Sequence, residues 1–404
     1  MNEVQRQIEI LRRGTVDFVS PEEFSQKIEK SLSKKRPLRV KLGVDPTSPD
    51  IHLGHTVVLQ KLRAFQDLGH KAVLIIGDYT ARVGDPSGTL KTRPQLTEKE
   101  IQANVKTYVT QIRKALDLKR LEIRYNSEWF KKMPFVDVIR LSSRMTVARM
   151  LERDDFSKRF KGGSPISIHE FIYPLMQGYD SIMVKADVEL GGTDQLFNLL
   201  VGRQLQKENG EESQVVMTTP LLEGTDGVQK MSKSLNNAIG ITEPPHQIFG
   251  KVMSISDELM WKYYELLSAE LMEEIERMRS QSKAGGLNPK EIKIKLAHEM
   301  VSRFYSKKEA DAAGEEFNRI FHEKKNPKKM EETVLRGVGD RILLSKLIVM
   351  AGCVGSHGEA KRLIQQGAVT WDGEKIVDEK AEVEALGEKV LKVGKKRFRK
   401  IVFK

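Results

Sequence analysis

Two imidazoles stand three positions apart in Asp45-Pro46-Thr47-Ser48-Pro49-Asp50-Ile51-His52-Leu53-Gly54-His55, with a glycine between them. Imidazole N–H groups donate to phosphate oxygens, and a glycine lets a ligand come close to the backbone. The run follows Leu38–Val44, which reads as a strand. It precedes a helical pattern from His55 to Leu68 with Val58, Leu62, Phe65 and Leu68 on one face and Gly69 closing it. A strand end leading into a helix start is where an open α/β sheet binds anions. A helix cap or a metal site is the alternative for the pair, although zinc needs further Cys or His at ligand spacing, which the neighbourhood lacks.

A second cluster, Lys230-Met231-Ser232-Lys233-Ser234, follows the turn-rich Glu223-Gly224-Thr225-Asp226-Gly227. Two lysines flanked by hydroxyls form a cation clamp suited to polyphosphate, while a K-x-x-K standing alone is far more often a solvated loop. Tyr173, Gln177 and Asp180 fall at i, i+4 and i+7 of a helix opened by the capping box Ser167/Glu170, so they form one polar stripe. Such a stripe either faces solvent or meets a polar ligand. Gly191-Gly192-Thr193-Asp194-Gln195 follows a strand predicted over Ile182–Glu189 and precedes a helix. The glycines permit close approach, and the Asp194 carboxylate can accept from ribose hydroxyls, unless the segment is a plain structural turn.

The elements that position these residues are legible in outline. The apolar run Lys71–Gly77 reads as a buried parallel strand, which completes a βαβ unit with the preceding strand and helix. A further capping box, Thr97/Glu100, opens another helix. From about residue 244 the pattern is helical, with a helix from Asn288-Pro289 through Arg303 and more helix to Phe321. A Pro-broken connector at Lys324–Lys329 and a Gly-interrupted linker at Arg336–Asp340 precede a basic module. The chain has 404 residues, 39% hydrophobic and 31% charged, and 68 Lys plus Arg against 56 Asp plus Glu give +12. Residues 341–404 hold 14 basic and 8 acidic side chains, so +6 of that charge sits in the last module. Such a balance raises a polyanionic partner as well as plain solubility. No run is long and apolar enough for a membrane span, and the N-terminus lacks a signal-peptide pattern. The lone Cys353 cannot form an internal disulfide, consistent with a cytoplasmic setting.

His-x-Gly-His after the first strand and Lys-Met-Ser-Lys-Ser near residue 230 resemble the two signatures of class I aminoacyl-tRNA synthetases. With Gly84-Asp85-Pro86-Ser87-Gly88, the Tyr173/Gln177/Asp180 stripe and Gly191–Gln195, the chain resembles the bacterial tyrosyl-tRNA synthetases over essentially its whole length. The resemblance is to the branch with a full K-M-S-K-S. The other branch has Tyr in place of Lys41 and Gln in place of Glu189, so the resemblance assigns no role to Lys41, Glu189 or Asp78. It implies a Rossmann-like catalytic domain over 1–243 with an insertion at about 105–190. An α-helical domain over 244–335 and a small S-four-type α+β RNA-binding domain over 341–404 would follow. It further implies that Thr47, His52, His55, Lys230 and Lys233 stabilise the α-phosphate and leaving pyrophosphate. Asp180 would accept from the tyrosine phenol, with Asp85, Tyr173, Gln177 and Gln195 also on the amino acid. Asp45, Gly54, Arg93, Gly192, Asp194, Met231, Ser232 and Ser234 would contact ATP. Mg²⁺ would accompany ATP, with no metal site of the protein's own. L-tyrosine, tRNA(Tyr) and a second copy of the chain are the implied partners, the copies meeting through the insertion. In the module, Ser356–Ile364 and Gln365–Gly373 resemble an RNA-gripping helix and hairpin, with Lys395–Lys400 adding charge. A tryptophanyl enzyme and a non-catalytic RNA-binding protein are the competing readings. Asp180 in its stripe argues against the first, and the intact His52, His55, Lys230 and Lys233 against the second.

Overall fold

A computed structural model describes residues 2–47, 50–87, 96–323, 325–327, 330–394 and 397–404. Six strands form the main sheet: β1 (Phe18–Val19), β2 (Arg39–Val44), β3 (Lys71–Ile76), β4 (Leu121–Tyr125), β5 (Val188–Gly192) and β6 (Val215–Thr219). Their order is β1-β6-β5-β2-β3-β4, parallel throughout except for β1, which pairs antiparallel with β6 at the edge. The chain runs outward from β2 through β3 to β4, then returns to the other side of β2 for β5 and β6. The succession of strands therefore reverses between β2 and β5, the position beyond whose carboxyl ends open α/β sheets bind ligands. Ala72–Ile76 of β3 are all buried, as a strand covered on both faces requires.

The helix Leu53–Asp67 crosses from β2 to β3 and buries Leu62 and Phe65, as its 3.6-residue spacing predicts. Both expected capping boxes are formed, at Thr97/Glu100 on the helix Glu98–Ile112 and at Ser167/Glu170 on the helix Ile168–Val184. Here the structure corrects one expectation. Ile182-Met183-Val184 ends the second of these helices rather than starting a strand, and left-handed Lys185 (φ 50°) stops it. The strand begins only at Val188. The apolar run belongs to the helix's buried side, where periodicity alone cannot separate helix from strand.

Contacts divide the chain into two compact units, Met1–Asp311 and Ala312–Lys404. The helices from Pro245 to Phe304 lie in the first unit together with the sheet. In the second unit, strands Glu374–Ile376, Val369–Trp371, Glu388–Val393, Arg397–Phe403 and Glu331–Leu335 form one sheet in that order. Glu331–Leu335 had been expected in the helical domain. It is the parallel edge strand of this sheet, because Val334 and Leu335 pair with Val402 and Phe403. The helices Leu344–Met350 and His357–Gln365 pack onto the unit's own core of Leu347, Ile348, Ile364, Val369, Leu391 and Ile401. Gly367 at φ 64° carries the chain from helix into hairpin, a conformation glycine adopts without strain.

Candidate active site

At the carboxyl end of β2 the chain leaves the sheet through Asp45, whose Oδ1 accepts from Thr80 Oγ1 (2.7 Å) and Oδ2 from Tyr173 OH (2.8 Å). Thr47 is exposed, and its N–H donates to the Asp45 carbonyl at 2.8 Å. The helix Glu98–Ile112 steadies this loop from outside: Asn104 Nδ2 donates to the Pro46 carbonyl (2.9 Å) and Gln111 Oε1 accepts from the Ile51 N–H (2.7 Å). His52 is the N-cap residue of Leu53–Asp67, and its N–H donates to His55 Nδ1 at 3.3 Å. The imidazoles stack with centroids 3.8 Å apart. Burial, aided by the Lys233 charge, pushes His52 down to about 3 and His55 to about 4, so both rings are neutral at pH 7. Among the described residues His52 Nδ1 is buried with no hydrogen-bond partner, which leaves it open to a ligand's polar group. The helix-cap alternative is thus part of the geometry: the His55 ring serves the first turn.

The lysine-bearing loop closes over this helix start. The Gly54 N–H points at Met231 Sδ (3.3 Å), and a Cβ at position 54 would sit 3.0 Å from the His52 ring. A larger residue there would press on the His52 ring of its own motif and only touch Met231 Cβ at 3.4 Å. Lys233 pairs with Asp50, and Lys230 is exposed. Ser232 and Ser234 hydroxyls lie 2.9 Å apart. Asn237, buried to 3% exposure, accepts from the Ser232 N–H (2.8 Å) and donates to Asp226 Oδ2 (2.8 Å) and the Lys230 carbonyl (3.2 Å). The chain beyond returns to the first motif, where the Leu53 N–H donates to the Ile239 carbonyl at 2.9 Å.

On the helix Ile168–Val184, Tyr173, Gln177 and Asp180 share one face. Asp180 is 3% exposed, its Oδ1 accepting from Trp129 Nε1 (2.9 Å) and its Oδ2 from Asn126 Nδ2 (3.3 Å). Burial raises its carboxyl to about 7, against the pull of Lys41 and both donors. Gln177 Oε1 accepts from Asn198 Nδ2 (3.0 Å). Asn198 is in turn held by Arg153 Nη1 (3.1 Å), whose Nη2 also donates to Ser87 Oγ (2.7 Å). Asp85 Oδ2 accepts from Gln195 Nε2 (2.9 Å). Gly192 ends β5, and burial beside Asp85 raises the Asp194 carboxyl, with Lys230 opposing.

Of the expected residues that are described, hydrogen bonds link Asp45 with Tyr173, Gln177 with Asn198, and Gln195 with Asp85, while Thr47 and Lys230 are exposed. Arg93 lies outside the described residues, as do Gly88, Lys395 and Lys396. Asp78, left without a role by the sequence, accepts from the Ser127 N–H (3.0 Å) and Oγ (2.6 Å) and so fixes the turn that presents Asn126 and Trp129. Trp129, Asn126, Asn198, Arg153 and Asn237 were missed. The first four are buried polar side chains, each with a site partner 45 or more positions away, so local spacing carries no sign of them, whereas the partners of Asn237 lie within 11 residues. Asn237, a polar residue opening the apolar run Ala238-Ile239, offered the one local hint.

The fold and these motifs have counterparts. A family model described as tRNA synthetases class I (W and Y) matches residues 33–322. A tyrosine–tRNA ligase of Carboxydothermus hydrogenoformans is 55% identical over 407 residues, with 100% of this chain and 99% of that one covered. One from Moorella thermoacetica is 53% identical over 399 residues, with 99% and 96% covered. Among solved structures, a C-terminally truncated mitochondrial tyrosyl-tRNA synthetase of Aspergillus nidulans superposes with TM-score 0.64 at 24% identity, covering 78% of this chain and 94% of that one. The tyrosyl-tRNA synthetase of Archaeoglobus fulgidus complexed with L-tyrosine gives TM-score 0.61 at 24% identity, covering 77% and 100%. These last two speak to the fold alone. Matched along most of its length by the family model, and throughout by relatives sharing more than half its residues, the chain belongs to the class I tRNA synthetases of the W and Y family.

Proposed function

We propose that this chain is a tyrosine–tRNA ligase, activating L-tyrosine with ATP and passing the tyrosyl group to the 3′-terminal adenosine of tRNA(Tyr). The observation that carries the amino-acid choice is the Asp180 carboxylate. It is sealed from water and oriented by Trp129 and Asn126, and each oxygen retains capacity for a second donor. A phenol supplies that donor. Phenylalanine would strand a buried polar group, and tyrosyl enzymes are themselves a standing example of this discrimination. Asp85, Tyr173, Gln177 and Gln195 surround the position of the amino acid's polar end.

In the first step the tyrosine carboxylate attacks the α-phosphate and pyrophosphate leaves. No side chain has to exchange a proton, so the work is positioning and charge stabilisation. Neutral His52 and His55 donate N–H groups to phosphate oxygens, Thr47 adds its hydroxyl, and Lys230 and Lys233 follow the charge onto pyrophosphate. An exposed pair such as Lys233–Asp50 is worth at most about 1 kcal/mol, so a polyphosphate competes for the lysine readily. Asp45, Gly54, Gly192, Asp194, Met231, Ser232 and Ser234 line the nucleotide side. Among the described residues no three His, Cys, Asp or Glu side chains gather as a metal cage. Mg²⁺ would arrive on ATP, where phosphates and waters supply most ligands and the metal neutralises phosphate charge.

The second unit would hold tRNA. Its helix His357–Gln365, capped by Ser356 Oγ accepting from the Glu359 N–H (3.2 Å), exposes Lys361 and Arg362, and the following hairpin exposes Lys375. Phosphate binding by such cations is salt-dependent. A homodimer is supported by the helix Phe135–Ser142, which buries no residue and leaves Phe135 77% exposed beside exposed Val136 and Ile139. Among the described residues no helix is long and apolar enough to cross a membrane, and a cytoplasmic site of action fits the substrates.

ATP–pyrophosphate exchange with each of the twenty amino acids tests the reading. Tyrosine alone should drive exchange. Exchange driven by tryptophan, or by none, would overturn it.

A further inference from the structure

Two charges lie sealed beneath the stripe. Lys41 and Glu189 have no exposed surface, and Lys41 Nζ stands 2.8 Å from Glu189 Oε1. They are register partners on β2 and β5, the strands between which the sheet's succession reverses. Their remaining hydrogen bonds converge on one helix. Lys41 Nζ donates to the Gln177 carbonyl (2.7 Å) and to Ser181 Oγ (2.8 Å). Glu189 accepts from Gln177 Nε2 (3.3 Å) and Ser181 Oγ (3.0 Å), and from the Gln214 amide. Gln177 is thus gripped at its backbone by the cation and at its side chain by the anion. Asp180 follows one turn later. A buried ion pair is seldom retained for stability, since apolar residues of like volume do as well, so the destination of its bonds is informative.

We propose that the Lys41–Glu189 pair is a positioning device for amino-acid selection, which fixes the rotation of the helix Ile168–Val184 at Gln177 and holds a positive charge behind Asp180. The inference rests on reading Asp180 as the phenol's acceptor. The charged groups around that carboxyl act in opposite senses: Lys41 draws its pKa down and Glu189 pushes it up, while Trp129 and Asn126 donate to it. Asp45 and Asp85 face the same pocket beside Tyr173. Removing either member of the pair should therefore move Asp180 in a predictable direction. Without Lys41, two buried acids confront each other and Asp180 holds its proton to higher pH. Without the Glu189 charge, Asp180 ionises at lower pH.

The test is the pH dependence of kcat/KM for tyrosine in pyrophosphate exchange, run on the full-length protein beside the tyrosine-to-phenylalanine ratio. The acid limb should move up in pH in Lys41→Met, with at least a tenfold loss at pH 7 that narrows by pH 8.5. It should move down in Glu189→Gln, and the double variant should lie between the two. Discrimination against phenylalanine should fall in Lys41→Met, while KM for ATP stays put. Limbs that stay in place, or move the same way in both variants, overturn the proposal. If Lys41→Met does not fold, the near-isosteric Glu189→Gln decides alone, since its limb must move down. Asp180→Asn separates the two readings. Should that variant keep its tyrosine-to-phenylalanine ratio, the phenol-acceptor reading fails first and takes this inference with it.

Discussion

One amide organises the lysine-bearing loop. Asn237 ties the Ser232 N–H, the Lys230 carbonyl and Asp226 together from a nearly water-free position. Gly224 has no room for a Cβ against it, so the hairpin and the clasp are shaped to each other. Asn237→Ala would leave a buried N–H and carbonyl unpaired, a cost of about 1–3 kcal/mol per group. If the loop holds its lysines for the transition state, adenylate formation should slow about ten- to hundredfold, while KM for tyrosine changes little. Pre-steady-state kinetics of adenylate formation checks this. An unchanged rate would mean that the loop needs no clasp. Asn237 also shows why residue-scale sequence reading stops where it does. His52, His55, Lys230 and Lys233 advertise themselves by type and spacing. A clasp or an orienting donor does not: Trp129 meets Asp180 across 51 positions and Asn198 meets Ser87 across 111. Only the fold makes them neighbours.

At the scale of elements, the local codes were mostly readable. Capping boxes, the apolar β3 and the amphipathic Leu53–Asp67 helix need only their own residues, and they formed as their sequences demand. The reading failed at Ile182–Val184 and at Glu331–Leu335, where the deciding contact is tertiary. The helix Ile168–Val184 illustrates how a local code and a tertiary one cooperate. Glu170 closes its capping box by accepting from the Ser167 N–H (2.8 Å), and the same carboxylate takes two bonds from buried Arg159, at 2.5 and 2.9 Å. Arg159→Met leaves that carboxylate charged and underpaired in the interior, so destabilisation of about 3–5 kcal/mol is expected. The double variant Arg159→Met/Glu170→Gln should recover part of it. Chemical denaturation of both variants measures the difference, and equal stability of the single variant and the parent would refute the coupling.

For the whole molecule, the boundary between Met1–Asp311 and Ala312–Lys404 falls inside the helix Lys307–Phe321, so a clean cut has to lie beyond that helix. That helix ends at Phe321. A chain ending at Glu323 keeps that helix whole. One ending at Asp340 keeps the strand Glu331–Leu335 but removes its sheet, exposing an unpaired edge that invites association. The shorter chain should therefore remain dispersed and form adenylate at the parent rate, yet charge tRNA at least tenfold more slowly. The longer one should aggregate. Light scattering and parallel exchange and charging assays decide between these outcomes. Undiminished charging by the shorter chain would remove the second unit from tRNA binding.

The pair formed by Lys41 and Glu189 also bears on descent. Each charge is tolerable in the interior only because the other is there. A lineage that replaces one first must pass through a chain with a naked buried ion beneath its substrate. The cost of changing residue 41 therefore depends on what stands at 189, and the reverse, so the two positions are coupled rather than independent.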